Sequence, residues 1–301
     1  AAAASTGSGS GRRYKIVSKV LIFVICLSSC VIPSMLPRAD QTEEESMSQL
    51  RIFCYMPSPR VYKATITARL CDVDIEIRSA PSYDLKDWLW DFDAHPLTED
   101  DKKYGVKAHT ARTGFNSLLY KTDNFMKAHP FGTVPAAFGP DGKVGIFESN
   151  SIMRAVARLG STETGVYGND PYTTSRIDSF LDASLLFARD SQIYLLAIND
   201  GSVTREIYDS ANTAYGVYMS AIDSALESGA GFLVSSQITL ADVCFACEYA
   251  LFLREGRNGK TLSGIGVGPI TSESAARFPR AIGHFEKLRC HEAFSPDFRH
   301  I

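Results

Sequence analysis

Between Leu50 and Ile77 the apolar residues change their spacing twice, and that change restricts the fold more than any other feature of the chain. Leu50-Arg51-Ile52-Phe53-Cys54-Tyr55 is a run of large apolar residues closed by Pro57-Ser58-Pro59, the pattern of a strand and its turn. Val61, Ala64, Thr65 and Ala68 then fall on one face of a helix running to Leu70. Val73 to Ile77 alternates apolar and acidic residues, the period of a second strand. Two strands joined by a helix of this length read as a parallel pair, because parallel strands need a crossover connection of about this size.

The pattern is lost after Ser79, and order returns at Asn124. The stretch from about 80 to 122 holds both tryptophans, Trp88 and Trp90, and is far longer than a plain connection of about 4–6 residues. It reads as an insertion with its own short helices, and the tryptophan pair is expected to dock on the domain that carries it. Phe131 to Phe138 then gives a turn and a strand, Pro140-Asp141-Gly142-Lys143 a hairpin turn, and Val144 to Phe147 the returning strand. Glu148-Ser149-Asn150 opens a helix that stops at Gly160, with Ser149 in the N-cap position.

From Asp170 onward only helical periods occur. Asp170-Pro171 is an N-cap followed by proline at the first helical position, leading through Ile177, Phe180, Leu181, Ala183 and Leu185. A second helix is expected from near Ser202 to Leu226. Thr239-Leu240-Ala241-Asp242 has the form of a capping box and opens a helix, Val243 to Leu253, apolar on most sides as a central buried helix is. Gly256 to Gly268 reads as a loop without the G-x-x-x-x-G-K-[ST] phosphate pattern, and a last helix follows Phe278-Pro279 and ends near Cys290. Segregation of a β-α layer from a run of helices gives two packed domains, 49–160 and 170–301, which suits a chain of 301 residues.

Ahead of them lies a leader, 1–48. Arg12-Arg13-Tyr14-Lys15 and Lys19 precede an apolar stretch from Val20 to Ile32 closed by Pro33, the form of a signal-peptide core; extended to residues 16–36, it would serve as an uncleaved membrane anchor. Leu27-Ser28-Ser29-Cys30 also has the form of a bacterial lipoprotein cleavage box. The expectation is therefore targeting to a membrane or organelle, with a cytoplasmic location as the alternative. A net charge of −3 with scattered Lys and Arg gives no basic stripe for nucleic acid. The seven cysteines are widely spread, and Cys244 and Cys247 form a C-x-x-C with no second pair or nearby histidine, so free, mostly buried thiols are expected and no metal site.

Two features carry chemistry. Proline at 135 removes an N–H donor ahead of a strand, and a cis Val134-Pro135 bond would leave the Val134 main chain free to accept an extended peptide. The helix start at Glu148-Ser149 offers N–H groups and a hydroxyl to a carboxylate. A strand edge beside an anion cradle suits a short acidic peptide such as glutathione.

In their order these motifs resemble the glutathione transferase superfamily. Phe131-Gly132-Thr133-Val134-Pro135-Ala136 resembles its cis-proline segment, and Phe147-Glu148-Ser149-Asn150-Ser151-Ile152 its Glu-Ser element, which holds the γ-glutamyl carboxylate. Phe232-Leu233-Val234 with Ile238-Thr239-Leu240-Ala241-Asp242 resembles the capping motif of its second domain. The resemblance implies a thioredoxin-like N-terminal domain followed by a helical C-terminal domain, glutathione as substrate or ligand at Val134, Pro135, Glu148 and Ser149, and a homodimer as one form of assembly. Within the superfamily, Val61-Tyr62-Lys63-Ala64, Ser79-Ala80-Pro81 and Phe147-Glu148-Ser149-Asn150 are similar to the gamma subunit of elongation factor 1. That likeness implies a protein-docking scaffold whose partners would be elongation factor subunits or, given the leader, a membrane complex.

An active transferase would be the alternative. A thiol with a pKa near about 8.5 is only a few per cent ionised at neutral pH, so catalysis needs a hydroxyl that stabilises the thiolate. Tyr55 and Ser58 are the hydroxyls at the end of the first strand. Where serine-type members have serine four residues before arginine, counting back from Arg60 gives Met56, which cannot donate.

Overall fold

The computed structural model describes residues 48–103, 106, 108–110 and 118–299. The apolar segment 16–36 of the leader, Cys26 and Cys30 lie outside the described residues, as do 104–105, 107 and 111–117 of the insertion.

Strand β1 (Leu50–Tyr55), helix α1 (Pro59–Cys71) and strand β2 (Ile75–Ala80) form the expected parallel unit, in register from Leu50 opposite Ile75 to Tyr55 opposite Ala80. The helix is one turn longer than its apolar stripe because Pro59 fits the first helical position and Asp72 closes it in a left-handed conformation, φ 53°. Strand β1 is central, and its period of two sends its residues into two cores. Leu50, Ile52 and Cys54 enter the main core beneath α1, while Phe53 enters a second cluster with Trp90, Phe125 and Phe138.

That second cluster is roofed by the insertion, which departs from the expectation of short helices. It contributes β3 (Trp88–Trp90), β4 (His95–Pro96), the five-residue helix α2 (Glu99–Lys103), β5 (Ala108–Thr110) and β6 (Leu118–Lys121). Its four strands make a separate sheet in the order β4-β3-β6-β5. The reason is side-chain bulk: Trp88-Leu89-Trp90 and Leu118-Leu119-Tyr120 pack best on a pleated surface, with Leu89, Trp90 and Leu119 buried. The tryptophan pair docks as expected, Trp88 stacked on Phe53 and Trp90 edge-on to it, with the Trp90 indole donating to the Leu85 carbonyl at 2.9 Å.

Helix α3 (Asp123–Ala128), β7 (Ala136–Phe138), β8 (Gly145–Phe147) and α4 (Ser149–Leu159) complete the thioredoxin-like half. Its sheet runs β2-β1-β7-β8, with β7 antiparallel to both neighbours. Gly160 follows the end of α4 at a point where no side chain fits, since a Cβ there would meet the Cys71 Cβ at 2.6 Å and the Cys71 carbonyl at 2.7 Å.

The helical half opens with α5 (Pro171–Asp200), capped by Asp170 through the N–H groups of Tyr172 and Thr173. It runs well past the expected Leu185, since its buried stripe continues through Ala188, Ser191, Tyr194 and Ile198. Helix α6 (Arg205–Ala225) is capped by Thr204 rather than beginning at Ser202. Helix α7 (Leu240–Phe252) is buried at every position except Leu251 and starts in a formed capping box. Helices α8 (Gly259–Gly264), α9 (Ser274–Arg277), α10 (Pro279–Arg289) and α11 (Ser295–Phe298) follow. Thus the glycine-rich segment is partly helical, and one further helix succeeds the expected last one. Helix α11 ties back to α1, with Asp297 accepting from Arg69 at 2.8 Å and from Thr65 at 2.5 Å. One core runs from Leu50 to Phe298 across both halves, so they pack as one body around α7. Among the described residues no helix is long and apolar enough to cross a membrane.

Candidate functional site

The end of β1, the segment before β7 and the C-terminal ends of α5 and α7 enclose a cleft of about 620 Å³. Tyr55, Val134 and Pro135 line it. The Val134-Pro135 bond is cis, and Val134 lies outside the β1–β7 ladder, which ends at Phe53 opposite Ala136. Among the described residues its N–H and C=O have no hydrogen-bond partner, which leaves the main chain of this one residue unpaired at the cleft wall.

The other three predicted residues sit elsewhere. Ser58 is 1% exposed and does not line the cleft. It holds the N-cap of α1 through its carbonyl, which accepts from Val61 and Tyr62, and its hydroxyl makes no capping bond. Of the two hydroxyls, the structure brings only Tyr55 to the cleft wall. Glu148 is exposed and takes the N-cap of α4 that the sequence pattern gives to Ser149. Its φ of 66° and ψ of 127° are strained for a residue with a Cβ, at a cost of roughly 1–3 kcal/mol. Ser149 is therefore the first helical residue, 7% exposed.

What draws Ser149 inward is a residue that the sequence pattern does not single out. Lys63 on α1 is fully buried, and its ammonium donates to Glu248 Oε1 at 2.5 Å, Asn150 Oδ1 at 2.7 Å and Ser149 Oγ at 3.4 Å. Asn150 in turn donates to the Leu181 carbonyl and to Ser184 Oγ, which also meets the Cys244 thiol. One network thus joins α1, α4, α5 and α7 behind the Glu-Ser corner. Burial alone would lower the Lys63 pKa, but Cys244 and Glu248 outweigh it and hold the ammonium above its ordinary range. For Glu248 burial would raise the carboxyl, and Lys63 with Arg60 outweighs it, holding the carboxylate below. Because Lys63 donates to Ser149 Oγ, the serine hydroxyl proton is free for an incoming carboxylate.

The cleft's charge was likewise not legible. Arg60, Lys121, Arg254 and Arg257 line it, and no Asp or Glu does among the described residues. They arrive from α1, from β6 of the insertion and from the turn after α7, so no local spacing announces them. Cys244 and Cys247 are buried within α7, and burial pushes both thiols up. Among the described residues no group of three or more His, Cys, Asp or Glu is placed to hold a metal ion.

Known proteins agree with this geometry at the level of fold. No family model matches the chain. Elongation factor 1-gamma 3 of Oryza sativa subsp. japonica is 29% identical over 153 residues, 50% of this chain and 36% of that protein. The chain thus spans little more than a third of the length of that relative. Glutathione S-transferase-like protein FUS3 of Gibberella moniliformis is 26% identical over 196 residues, 64% of this chain and 72% of that protein. A glutathione S-transferase of Methylobacillus flagellatus, solved with glutathione bound, superposes with a TM-score of 0.57 at 11% identity, over 82% of this chain and 98% of that one. The chain has the glutathione transferase fold, a thioredoxin-like half and a helical half, and in sequence it is similar to elongation factor 1-gamma and to transferase-like proteins.

Proposed function

We propose that this chain binds glutathione, or a short acidic peptide like it, in the cleft between its halves, with Tyr55 as the hydroxyl that meets the thiol. The observation that carries the reading is the pairing on one wall of Tyr55 with the unpartnered main chain of Val134. An extended peptide would add to Val134 as a strand, and its terminal carboxylate would reach the first turn of α4, where free N–H groups and the Ser149 hydroxyl converge. A Tyr hydroxyl donating to sulfur favours the thiolate, each pKa unit so gained being worth about 1.4 kcal/mol. Calorimetric titration of glutathione tests it. Binding in the micromolar to low-millimolar range, weakened by Ser149→Ala, is expected, and Tyr55→Phe should raise the pKa of the bound thiol while leaving affinity nearly unchanged. No heat from the wild-type chain would refute the reading. Consumption of glutathione against an activated aryl halide would extend it to catalysis.

A second reading, a docking scaffold, is favoured by α5. Leu185, Leu186 and Ile193 are 43%, 73% and 50% exposed along it, an apolar strip unusual for a surface left in water. The partners would be elongation factor subunits, by likeness to elongation factor 1-gamma, or a membrane assembly reached through segment 16–36. Glutamate at Leu186 and Ile193 should abolish capture of either class and leave glutathione titration unchanged. Retained capture would remove α5 from the interface.

A further inference from the structure

Tyr55 stands at the end of β1, and its neutral hydroxyl can offer sulfur a hydrogen bond but no charge. The loop that follows it, Met56-Pro57-Ser58, is gripped from the helical half. Arg254, in the turn after α7, donates from Nη2 to the Pro57 carbonyl at 3.0 Å, across 197 positions of the chain. Arg254 and Tyr55 line the same cleft, and the two side chains are close enough for their charges to interact. Burial pushes the Arg254 guanidinium down and Arg257 adds to it, while Tyr55 and Tyr62 act in the other direction. The other titratable or charged groups on the cleft wall are Arg60 of α1, His109 of β5, Lys121 of β6 and Arg257, and no carboxylate joins them among the described residues. Arg60 donates to Gln192 Oε1 at 2.6 Å with Glu248 at 4.0 Å, Lys121 donates to the Gly132 carbonyl at 2.7 Å and lies over Trp90, and Arg257 is exposed to the screening of water. Arg254 is the partly buried cation bonded to the loop that carries Tyr55.

We propose that Arg254 is a positioning residue of the glutathione site, which holds the loop behind Tyr55 and keeps a positive charge beside that hydroxyl, so that bound glutathione is favoured as thiolate over thiol. The inference rests on the glutathione reading and goes beyond it by naming the charge that Tyr55 does not supply. The step is an ionisation: the S–H bond breaks, the electron pair stays on sulfur and the proton leaves to water. A cation within a few ångströms favours the charged form of a thiol, and more so where water is partly excluded. The guanidinium keeps its own proton throughout, so it acts as a fixed charge and not as a base. The helical half thereby takes part in the chemistry of a residue carried by the thioredoxin-like half.

The test uses the full chain and follows the thiolate of bound glutathione by its ultraviolet absorbance as the pH is raised, with the S-methylglutathione complex as blank. Arg254→Gln removes the charge but keeps an N–H for the Pro57 carbonyl, and Arg254→Lys keeps the charge. The pKa of the bound thiol should rise by about one unit in Arg254→Gln, a tenfold loss of thiolate at neutral pH, and by less than about half of that in Arg254→Lys. S-methylglutathione has no thiol proton and should bind both variants within about twofold of the wild type, a split that a loss of structure would not give. An unchanged thiol pKa in Arg254→Gln overturns the proposal, and so does an equal rise in both variants, since charge would then not be the cause. Loss of S-methylglutathione overturns it as well, because the arginine would then hold the peptide itself. A wild type that binds no glutathione refutes the earlier reading, and Tyr55→Cys then decides this one by placing a thiol on the same wall. Alkylation of that thiol by iodoacetamide, read by mass spectrometry on the peptide holding position 55, should move to higher pH by about one unit when Arg254→Gln is added. An identical pH profile with and without Arg254→Gln overturns the proposal.

Discussion

Replacing Glu248 by leucine should be among the most damaging single changes in the protein, and undoing it from the other side should restore most of the loss. Glu248 and Lys63 are 2% and 1% exposed, on helices of different halves, with the ammonium 2.5 Å from Oε1. Removing one partner of a buried ion pair costs about 3–5 kcal/mol, because the other charge is left in a medium that cannot solvate it. Here Lys63 would keep Asn150 and Ser149 as neutral acceptors, so the lower figure, about 3 kcal/mol, is expected. With a urea slope of about 2–3 kcal/mol per molar, the midpoint of unfolding should fall by roughly 1–1.5 M. Lys63→Met in the same chain removes the stranded charge, and the double variant should return to within about 1 kcal/mol of wild type. The pH dependence has a definite sign. A carboxylate held below its ordinary 4.5 contributes stability that is present above that value and lost as the pH falls beneath it. An ammonium held above its ordinary 10.5 contributes stability present below that value and lost as the pH rises past it. The deficit of Glu248→Leu should therefore be flat between those limits. A single variant within about 1 kcal/mol of wild type, or a double variant no better than the single, would refute the account of Lys63 as a buried charge neutralised by Glu248.

Three further changes follow from the same contacts. His129 is fully buried between Phe125 and Phe147, and neither ring nitrogen has a partner among the described residues. Burial, with Lys121 adding to it, holds its pKa below the ordinary 6.5, so stability is full above that value and falls as the pH drops through it. His129→Phe should flatten that fall and raise the melting temperature most near about pH 5, as thermal melts at two pH values would record. Gly160→Ala should cost about 1–3 kcal/mol in urea unfolding, since the new Cβ would press on Cys71 of α1. Asp242→Ala should cost more than the roughly 1 kcal/mol of an ordinary cap, because its carboxylate also accepts from Leu233 N–H and His284 Nε2; Asp242→Asn should recover part of it.

The β-α-β unit and α7 were legible because their side chains repeat at the period of the element that they form. Leu50 to Tyr55 and Ile75 to Ala80 carry a strand's spacing, and the box from Thr239 to Asp242 marks its helix start on the sequence alone. The inserted sheet was not legible: its strands are two to four residues long, and β3 pairs with β6 across 31 positions, so only the finished ladder identifies them. The second half of α5 was obscured by Ser184 and Ser191, which are buried yet polar and interrupt the apolar stripe. The cap of α4 was displaced by one residue because its determinant, Lys63, lies 86 positions upstream of Ser149.

That distance explains why half of the candidate site was readable and half was not. Tyr55, Val134 and Pro135 reach the cleft through the frame itself, and the frame is written in local periods. Ser149 is set by a lysine on α1 that is anchored in turn by a glutamate on α7, 185 positions away. The same α7 delivers Leu251 to the cleft and leads directly into Arg254. One buried helix therefore supports the Glu-Ser corner from behind and leads at its end into the cationic side of the cleft. If the glutathione reading holds, Glu248→Leu should weaken glutathione binding through Ser149, as calorimetric titration would record. Unchanged affinity in a folded variant would mean that the Lys63 network does not set the Ser149 hydroxyl.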